Sequence, residues 1–168
     1  MAVNMFLDFN KKGVAGESAD DKHLAWVEVT GFSHGFEQPT NPSRSQSAVT
    51  IEKCTHNPFE ITRKLDVASV PMMKACWSGK IWDMITFQAY RATDEDPEPI
   101  KYLDIAMEFA VVASYSISGG EGDIPEESIS FNYGAITYTY IPADKKTLKA
   151  DSGKMKVHKH DLITNKVS

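Results

Sequence analysis

The sequence predicts a mainly β fold: an antiparallel β-barrel or two packed sheets of about eight strands, with one flanking α-helix. Apolar and polar residues alternate through most of the chain, which is typical of half-buried strands. Only one segment, Ser69–Ser78, has the pattern of a helix. Most connections are too short for the crossovers that parallel strands need. With 168 residues, the chain is predicted to form one domain over residues 1–168.

The first strand is predicted at residues 3–10, and the second, at residues 24–38, follows a polar turn. Successive side chains of a strand point to opposite faces. One face of the second strand therefore carries Gly31, Ser33 and Gly35 and is nearly free of side chains, which favours close approach by another molecule. The opposite face carries an aromatic set that is expected to pack on the core: Phe32, His34 and Phe36.

A long, mostly irregular loop is predicted at residues 40–57, with strand character only at 49–51, and a further strand follows at 59–62. The helix is expected to have Ser69 as its N-cap, Pro71 in its first turn and Gly79 just past its end. Its apolar stripe is expected to pack on the core and consists of Val70, Met73, Ala75, Cys76 and Trp77.

The second half of the chain contributes a strand at 83–91, an acidic turn at 94–99 and the longest strand pattern, Ile100–Ser118. Strict alternation along that pattern places Phe109 and Val111 on its inward face. A closing pair is predicted at 127–133, with Ile129 and Phe131 inward, and at 135–141. From about residue 143 the chain is polar and lysine-rich, with a last short strand at 154–158.

Composition excludes several classes of protein. The net charge of −5 and the pI near 5.5 argue against nucleic acid and against an anionic membrane surface as partners. The N-terminal residues lack a basic region before their apolar positions, and no apolar run is long enough to span a membrane. Two cysteines, Cys54 and Cys76, are too few for a disulfide framework, so we expect both to be reduced and buried in a protein made in the cytoplasm.

No pattern of residues predicts catalysis, a metal or a cofactor. His158 and His160 fall on one side of a strand, but no further ligand joins them in a zinc motif. Cys54 and His56 lack the surroundings of a nucleophile, and the glycines at 119–122 are not followed by the residues of a phosphate loop. His34 is interpreted as a hydrogen-bonded core histidine. The sequence therefore favours a binding or structural protein over an enzyme.

An ordered set of short motifs resembles the Hcp family of type VI secretion systems. The motifs run in family order over nearly the whole chain, and the single predicted helix lies among them. They are GES at 16–18, DKH at 21–23, VTGFSHG at 29–35, QP at 38–39, FEITRKLD at 59–66, ASVP at 68–71, ACWSGK at 75–80, YL at 102–103, SYSISGG at 114–120 and PEESISFNY at 125–133.

The resemblance implies a β-barrel-like fold, similar to that of phage tail tube proteins, and homohexameric rings that stack into a tube. It implies a VgrG-type spike, sheath proteins and effector proteins as partners, secretion without a signal peptide, and no enzymatic activity or cofactor. By this resemblance, Gly31, Ser33 and Gly35 face the lumen and its effectors, with Ser33 at the family's channel-lining serine. The loop at 40–57 corresponds to the family's extended loop, which contacts the neighbouring ring.

Phe32 and His34 occupy positions where the family commonly has tryptophans, and the loop from residue 40 is rich in serine and proline instead of glycine. The stacking contacts and the cargo therefore do not follow from the resemblance. The strand count alone leaves open a monomeric barrel that binds a small ligand, although bulky inward residues are expected to fill it. A hydrolase that uses His158 or His160 is a third possibility.

Overall fold

A computed structural model describes residues 3–10, 12–41, 50–92, 99–144, 147 and 149–168. The described chain is predominantly antiparallel β-sheet with a single α-helix, which confirms the predicted fold class. The helix α1 is Ser69–Ser78, and a 3-10 turn lies at Ser152–Lys154. The strands are β1 Val3–Asp8, β2 Val27–Val29, β3 Gly31–Ser33, β4 Phe36–Glu37, β5 Thr40–Asn41, β6 Thr50–Ile51, β7 Thr55–His56, β8 Phe59–Lys64, β9 Ile81–Arg91, β10 Ile100–Ser118, β11 Glu126–Asn132, β12 Ala135–Tyr140, β13 Lys156–Asp161 and β14 Lys166–Val167.

The strands close into a barrel, and the hydrogen-bonded order of its strands runs outward from the two edges of β10. One edge of β10 pairs with β9, which pairs with β1, which pairs with β2. The other edge pairs with β11, which pairs with β8, which pairs with β3. Only Thr30 separates β2 from β3, and its backbone N–H donates to the Thr62 carbonyl at 2.8 Å. The continuous segment from β2 to β3 therefore joins the two ends of the circuit.

A second part of the sheet extends from the first half of β10. There β10 pairs with β12, β12 pairs with β13 and β13 pairs with β14, all antiparallel. The last strand, predicted at residues 154–158, begins two residues later and ends three residues later as β13, and β14 follows it. Within the described residues, no helix has the length and apolar character that crossing a bilayer requires.

The segment predicted as one strand at residues 24–38 is three short strands, β2, β3 and β4. It is interrupted because β2 pairs with β1 whereas β3 pairs with β8, and β4 leaves the barrel to pair with β7. Its aromatic face is only partly covered: Phe32 packs on Phe59 and Phe87, but 38% of Phe32 and 48% of Phe36 remain exposed.

The extended loop is a two-stranded ribbon at its described ends, not irregular chain. Phe36 pairs with His56, and Thr40 pairs with Ile51. The Glu52 N–H donates to the Pro39 carbonyl at 3.4 Å between these two pairs. Residues 42–49, and most of the predicted acidic turn at 94–99, lie outside the described residues.

Helix α1 has the predicted bounds, but the predicted N-cap is wrong and the predicted buried face is only partly right: Ala75 is buried and Cys76 packs on the core, as expected. Ala68 is the N-cap, and Ser69 is the first helical residue, whose Oγ accepts the Asp66 N–H at 3.0 Å. The helix turns Met72 and Ala75 toward the core, whereas Trp77 is 79% exposed and Val70 is also exposed. Gly79 ends the helix in the left-handed conformation at φ 64°, as predicted.

Alternation along β10 is broken at Phe109, which has a φ of 52°. Ile105 and Met107 are buried before this residue, and Ala110 and Val112 are buried after it, so the inward face shifts by one position. The inward placement of Phe109 and Val111 was therefore wrong, and 55% of Phe109 is exposed.

Apolar side chains fill the barrel interior. Ile129 and Phe131 are fully buried, as predicted. The two cysteines are free thiols, but both are only half-buried, contrary to the expectation. The largest fully buried apolar side chains are Trp82, Phe9, Phe59, Phe87, Phe131, Leu7, Ile61, Met72, Ile85, Ile105 and Met107.

A buried ionic cluster joins β8, β11 and the start of α1. Arg63 lies opposite Glu127 across the two strands, and its Nε is 3.5 Å from Glu127 Oε2. Arg63 Nη2 forms an ion pair with Asp66, and Nε donates to the Lys64 carbonyl at 3.1 Å. Burial first, and then the Glu127 carboxylate, raise the pKa of the neighbouring Tyr115. Arg63 and Glu127 are each only 1% exposed, so neither charge reaches bulk water.

Glycine is required at position 16 because the backbone there lies close to the backbone of Ala25 and Trp26. Its N–H donates to the Ala25 carbonyl at 2.8 Å, and an added Cβ would lie 2.2 Å from the Trp26 carbonyl oxygen. We expect Gly16→Ala to lower the free energy of unfolding by roughly 1–3 kcal/mol, because backbone atoms must move to admit the methyl group. Urea unfolding measures this loss. Gly120→Ala is the control, since no atom lies within 4 Å of its added Cβ; equal losses in both variants would contradict the prediction.

Candidate functional site

Four strands present small polar side chains on the solvent side of the barrel. Ser114 on β10 lies opposite Ser130 on β11, Ser130 opposite Glu60 on β8, and Glu60 opposite Ser33 on β3. One row of short hydroxyl side chains, interrupted by a carboxylate, therefore crosses four adjacent strands.

A second row runs parallel to the first. Ser116 lies opposite Ser128, Ser128 opposite Thr62, and Thr62 opposite Gly31. An added Cβ at Gly31 would lie 2.7 Å from Thr62 Oγ1, so this glycine leaves room for the threonine hydroxyl. We refer to the two rows together as the hydroxyl face.

Hydrogen bonds within the hydroxyl face hold its side chains in place. Ser114 Oγ and Ser130 Oγ are 2.6 Å apart, and Ser128 Oγ donates to Glu60 Oε1 at 2.5 Å. Ser128 and Ser130 belong to β11, whose opposite face buries Ile129 and Phe131 in the barrel. The packed core therefore fixes the position of the face, while the face itself offers hydroxyl groups and little apolar surface.

Charged side chains border the hydroxyl face at one end. Lys64 Nζ lies 3.1 Å from Asp123 Oδ2 and 3.6 Å from Glu126 Oε1. The hydrogen bond from Lys64 lowers the pKa of the Asp123 carboxyl, and the same bond raises the pKa of Lys64. The border of the hydroxyl face therefore has two acidic side chains and one basic side chain per polypeptide.

The structure brings together the residues predicted to face a lumen. Ser33 is exposed, and both Ser33 and Gly35 line an open concavity over the hydroxyl face. Gly31 lies in the second row beside Thr62. Whether these three residues face a lumen stays a prediction.

Sequence reasoning missed most of this face. Glu60, Ser114, Ser116, Ser128 and Ser130 line the same concavity as Ser33. The signal was present as alternating serines in β10 and β11, but alternation shows only that such serines share a face of their own strand and not which strand lies beside it.

The histidines and cysteines do not form a metal centre. No group of three or more His, Cys, Asp or Glu side chains that could hold a metal ion occurs in the part of the chain that the structure describes. His158 is exposed, whereas His160 lies 2.9 Å from His56, Nδ1 to Nε2. His34 is hydrogen-bonded, as interpreted from the sequence, but it is only half-buried and does not belong to the core.

A protein-family model described as "Type VI secretion system effector, Hcp" matches residues 6–140. The chain belongs to the Hcp family. No curated protein sequence matches it. The Hcp family model covers all the strands of the barrel except the first residues of β1, so family membership and the hydroxyl face refer to the same part of the molecule.

Solved Hcp structures share this fold. A type six secretion system protein is 28% identical, with a TM-score of 0.88 over 99% of this chain and 100% of the other. Hcp1 from Salmonella typhimurium is 22% identical, with a TM-score of 0.78 over 100% of both chains. A type VI secretion system effector from Yersinia pestis is 20% identical, with a TM-score of 0.73 over 94% of this chain and 98% of the other.

Proposed function

We propose that this Hcp-family chain is the structural subunit of the inner tube of a type VI secretion system. In this proposal it forms homohexameric rings that stack, carry or chaperone effectors in the lumen, and leave the cell with them. The rings meet a VgrG-type spike at the tip and sheath proteins around the outside. The chain is made in the cytoplasm and acts without enzymatic chemistry.

The observation that carries this proposal is the hydroxyl face. Ser33, Ser114 and Ser130 are short, uncharged and hydrogen-bonding, so they can contact a polar cargo surface without holding it through a large apolar area. The face lies on strands whose opposite side is packed core, which makes it a rigid wall. Six copies arranged around an axis with this face inward would line a channel.

A small-ligand-binding barrel is not favoured. The interior positions that such a protein would leave open are occupied by Phe59, Phe87 and Phe131, all fully buried.

Native mass spectrometry and negative-stain microscopy test the ring directly. We expect a species of six chains and particles with six-fold symmetry around a central hole. A strict monomer at high protein concentration would contradict the proposal.

Ser33→Gln tests the lumen assignment. The exposed hydroxyl can be enlarged without disturbing the core, so we expect an unchanged unfolding midpoint and intact rings, with a changed yield of co-purified effector. Ser152→Gln, at an exposed position of the 3-10 turn, is the control and should leave effector yield as in the wild type. Unfolding of Ser33→Gln, or equal effector yield in both variants, would show that Ser33 does not line the lumen.

A further inference from the structure

We call the ribbon of β4 to β7 the extended hairpin, and we call β12, β13 and β14 the C-terminal sheet. A continuous chain of histidines and tyrosines connects the base of the extended hairpin to the barrel and the C-terminal sheet. His34, between β3 and β4, contacts the Tyr138 hydroxyl through Nδ1 and the Tyr133 hydroxyl through Nε2, the latter at 2.7 Å. The Tyr133 hydroxyl lies 2.8 Å from His56 Nδ1 on β7. His56 Nε2 lies 2.9 Å from His160 Nδ1 on β13.

One carbonyl fixes the direction of every hydrogen bond in this chain. The Asn57 carbonyl oxygen, 3.1 Å from His34 Nε2, can only accept, so Nε2 carries the hydrogen. In neutral His34, Nδ1 then accepts from the Tyr138 hydroxyl, and Tyr133 oxygen accepts from Nε2. The Tyr133 hydroxyl therefore donates to His56 Nδ1, and His56 Nε2 donates to His160 Nδ1.

The chain satisfies all its members only while the three imidazoles are neutral. A proton added to His160 Nδ1 would face the N–H of His56 across 2.9 Å. A proton added to His56 Nδ1 would force the Tyr133 hydroxyl to turn and accept, and one added to His34 Nδ1 would do the same to Tyr138, so that each hydroxyl hydrogen would lose its acceptor in the chain. Two charged rings would also repel, because the His56 and His160 ring centroids are 4.8 Å apart.

The links join the base of the hairpin to strands that are distant from it in the sequence. His56 pairs with Phe36 across the base of the hairpin, and the Asn57 N–H donates to the Gly35 carbonyl at 3.0 Å. Tyr138 belongs to β12 and His160 to β13, so the chain ties the hairpin base to the C-terminal sheet. Phe36 adds an edge contact with Tyr138 but remains 48% exposed.

The titratable groups around the chain come from every neighbouring element. Beyond the three imidazoles they are Tyr133 and Tyr138, Cys54 before β7, and Glu60 of β8, which lines the same concavity as His34. His158 lies opposite Tyr138, Lys159 beside His160 binds Glu108, and Asp161 accepts the Ile163 and Thr164 N–H groups.

Burial lowers the pKa of His34 to about 4 and also lowers the pKa of His56, with a further contribution from His160. Because these folded-state pKa values lie below the ordinary 6.5, the stability that the neutral hydrogen-bonded chain of side chains contributes is fully present above pH 6.5. It is lost as the pH falls from 6.5 toward the lowered values.

We propose that the His34–Tyr133–His56–His160 chain is an acid-sensitive clasp that holds the base of the extended hairpin on the barrel at neutral pH. Acidification opens the clasp and frees β4 and β7 while the barrel stays folded. The clasp lies within one polypeptide and does not depend on ring formation. Its test can therefore give a positive or a negative result independently of the proposed function.

Hydrogen exchange with mass spectrometry at pH 7.5 and pH 5 tests the clasp, with labelling times scaled for intrinsic exchange. We expect peptides covering residues 34–41 and 50–57 to exchange at least about tenfold faster at the lower pH, because local opening sets their rate. Peptides covering β8 should exchange equally at both pH values. Equal exchange of the hairpin peptides, or joint opening of β8, would overturn the proposal.

Two substitutions separate the clasp from a general effect of acid. His56→Gln removes a titrating ring, so the pH response of the hairpin should fall below about twofold. His158→Gln, on the same strand as His160 but exposed, should keep the full response. A full response in His56→Gln would overturn the proposal.

If His56→Gln does not fold, NMR of wild-type protein with labelled histidines decides the question. His34 and His56 should both show the tautomer with hydrogen on Nε2 at neutral pH. Their chemical shifts should change over the same pH interval as the hydrogen-exchange rate of the hairpin peptides. The opposite tautomer, or titration outside that interval, would overturn the proposal.

Discussion

Arg63→Ala is expected to destabilise the protein by roughly 3–5 kcal/mol, because it leaves a buried carboxylate without its cation. Glu127 is 1% exposed and lies directly opposite Arg63, and neither of its carboxylate oxygens accepts a hydrogen bond from the described residues. The same substitution removes the ion pair between Arg63 and Asp66, which precedes the helix. Urea unfolding at a fixed protein concentration measures the loss, since oligomers would otherwise shift the midpoint.

The adjacent residue of the same strand provides the control for Arg63→Ala. Lys64 also forms two ion pairs, with Asp123 and Glu126, but these groups are solvent-exposed. Screening by water makes such pairs weak, so Lys64→Ala should leave the unfolding midpoint nearly unchanged. Similar midpoints for Arg63→Ala and Lys64→Ala would mean that water reaches the buried cluster. Replacing Arg63 with methionine and Glu127 with leucine together should restore part of the lost stability, because the buried Glu127 carboxylate is removed while Asp66 still lacks its cation.

Trp82→Ala is expected to lower the free energy of unfolding by roughly 3–5 kcal/mol, the usual range for removing a buried tryptophan. Trp82 is 1% exposed, packs on Phe9 with ring centroids 5.1 Å apart, and donates from Nε1 to the Lys12 carbonyl at 3.0 Å. Its removal leaves a cavity in the core, and the Lys12 carbonyl then keeps only the hydrogen bond from Lys80 Nζ. Thermal and urea unfolding measure the effect.

Trp77→Ala is the matched control on the neighbouring helix. Trp77 is 79% exposed, so its removal should change the stability of the chain by no more than about 0.5 kcal/mol. Equal losses at Trp77 and Trp82 would contradict the burial of one and the exposure of the other. The helical pattern in the sequence had predicted burial of Trp77, so this pair of variants also tests which face of α1 meets the core.

The sequence predicted most strands and the helix bounds, because alternation, Pro71 and Gly79 are local signals. It failed where tertiary contacts decide the outcome. Met72 is buried instead of Trp77 because the barrel surface selects which face of the helix it covers. The change of partner at Thr30 and the positive φ of Phe109 likewise depend on strands distant in sequence.

Of the candidate site, only the residues on and just after β3 were predicted from the sequence. Alternation placed Gly31, Ser33 and Gly35 on one face, and two of them line the concavity over the hydroxyl face. The serines of β10 and β11 were visible in the sequence, but their position beside Ser33 follows from the pairing order β10, β11, β8 and β3, which strand patterns do not specify. The hydrogen bonds between the histidines could not be predicted for the same reason, since His56 and His160 are 104 residues apart.

The position of β1 in the barrel has a consequence for synthesis of the chain. This first strand cannot pair with β9 until β9 has been synthesised, because Met5 pairs with Ala89, 84 positions later. At about 5–20 residues per second, a ribosome takes about 4–17 s to supply that partner. Throughout that interval one edge of β1 has no hydrogen-bonding neighbour, so the nascent chain is open to pairing with other chains or to binding by a chaperone.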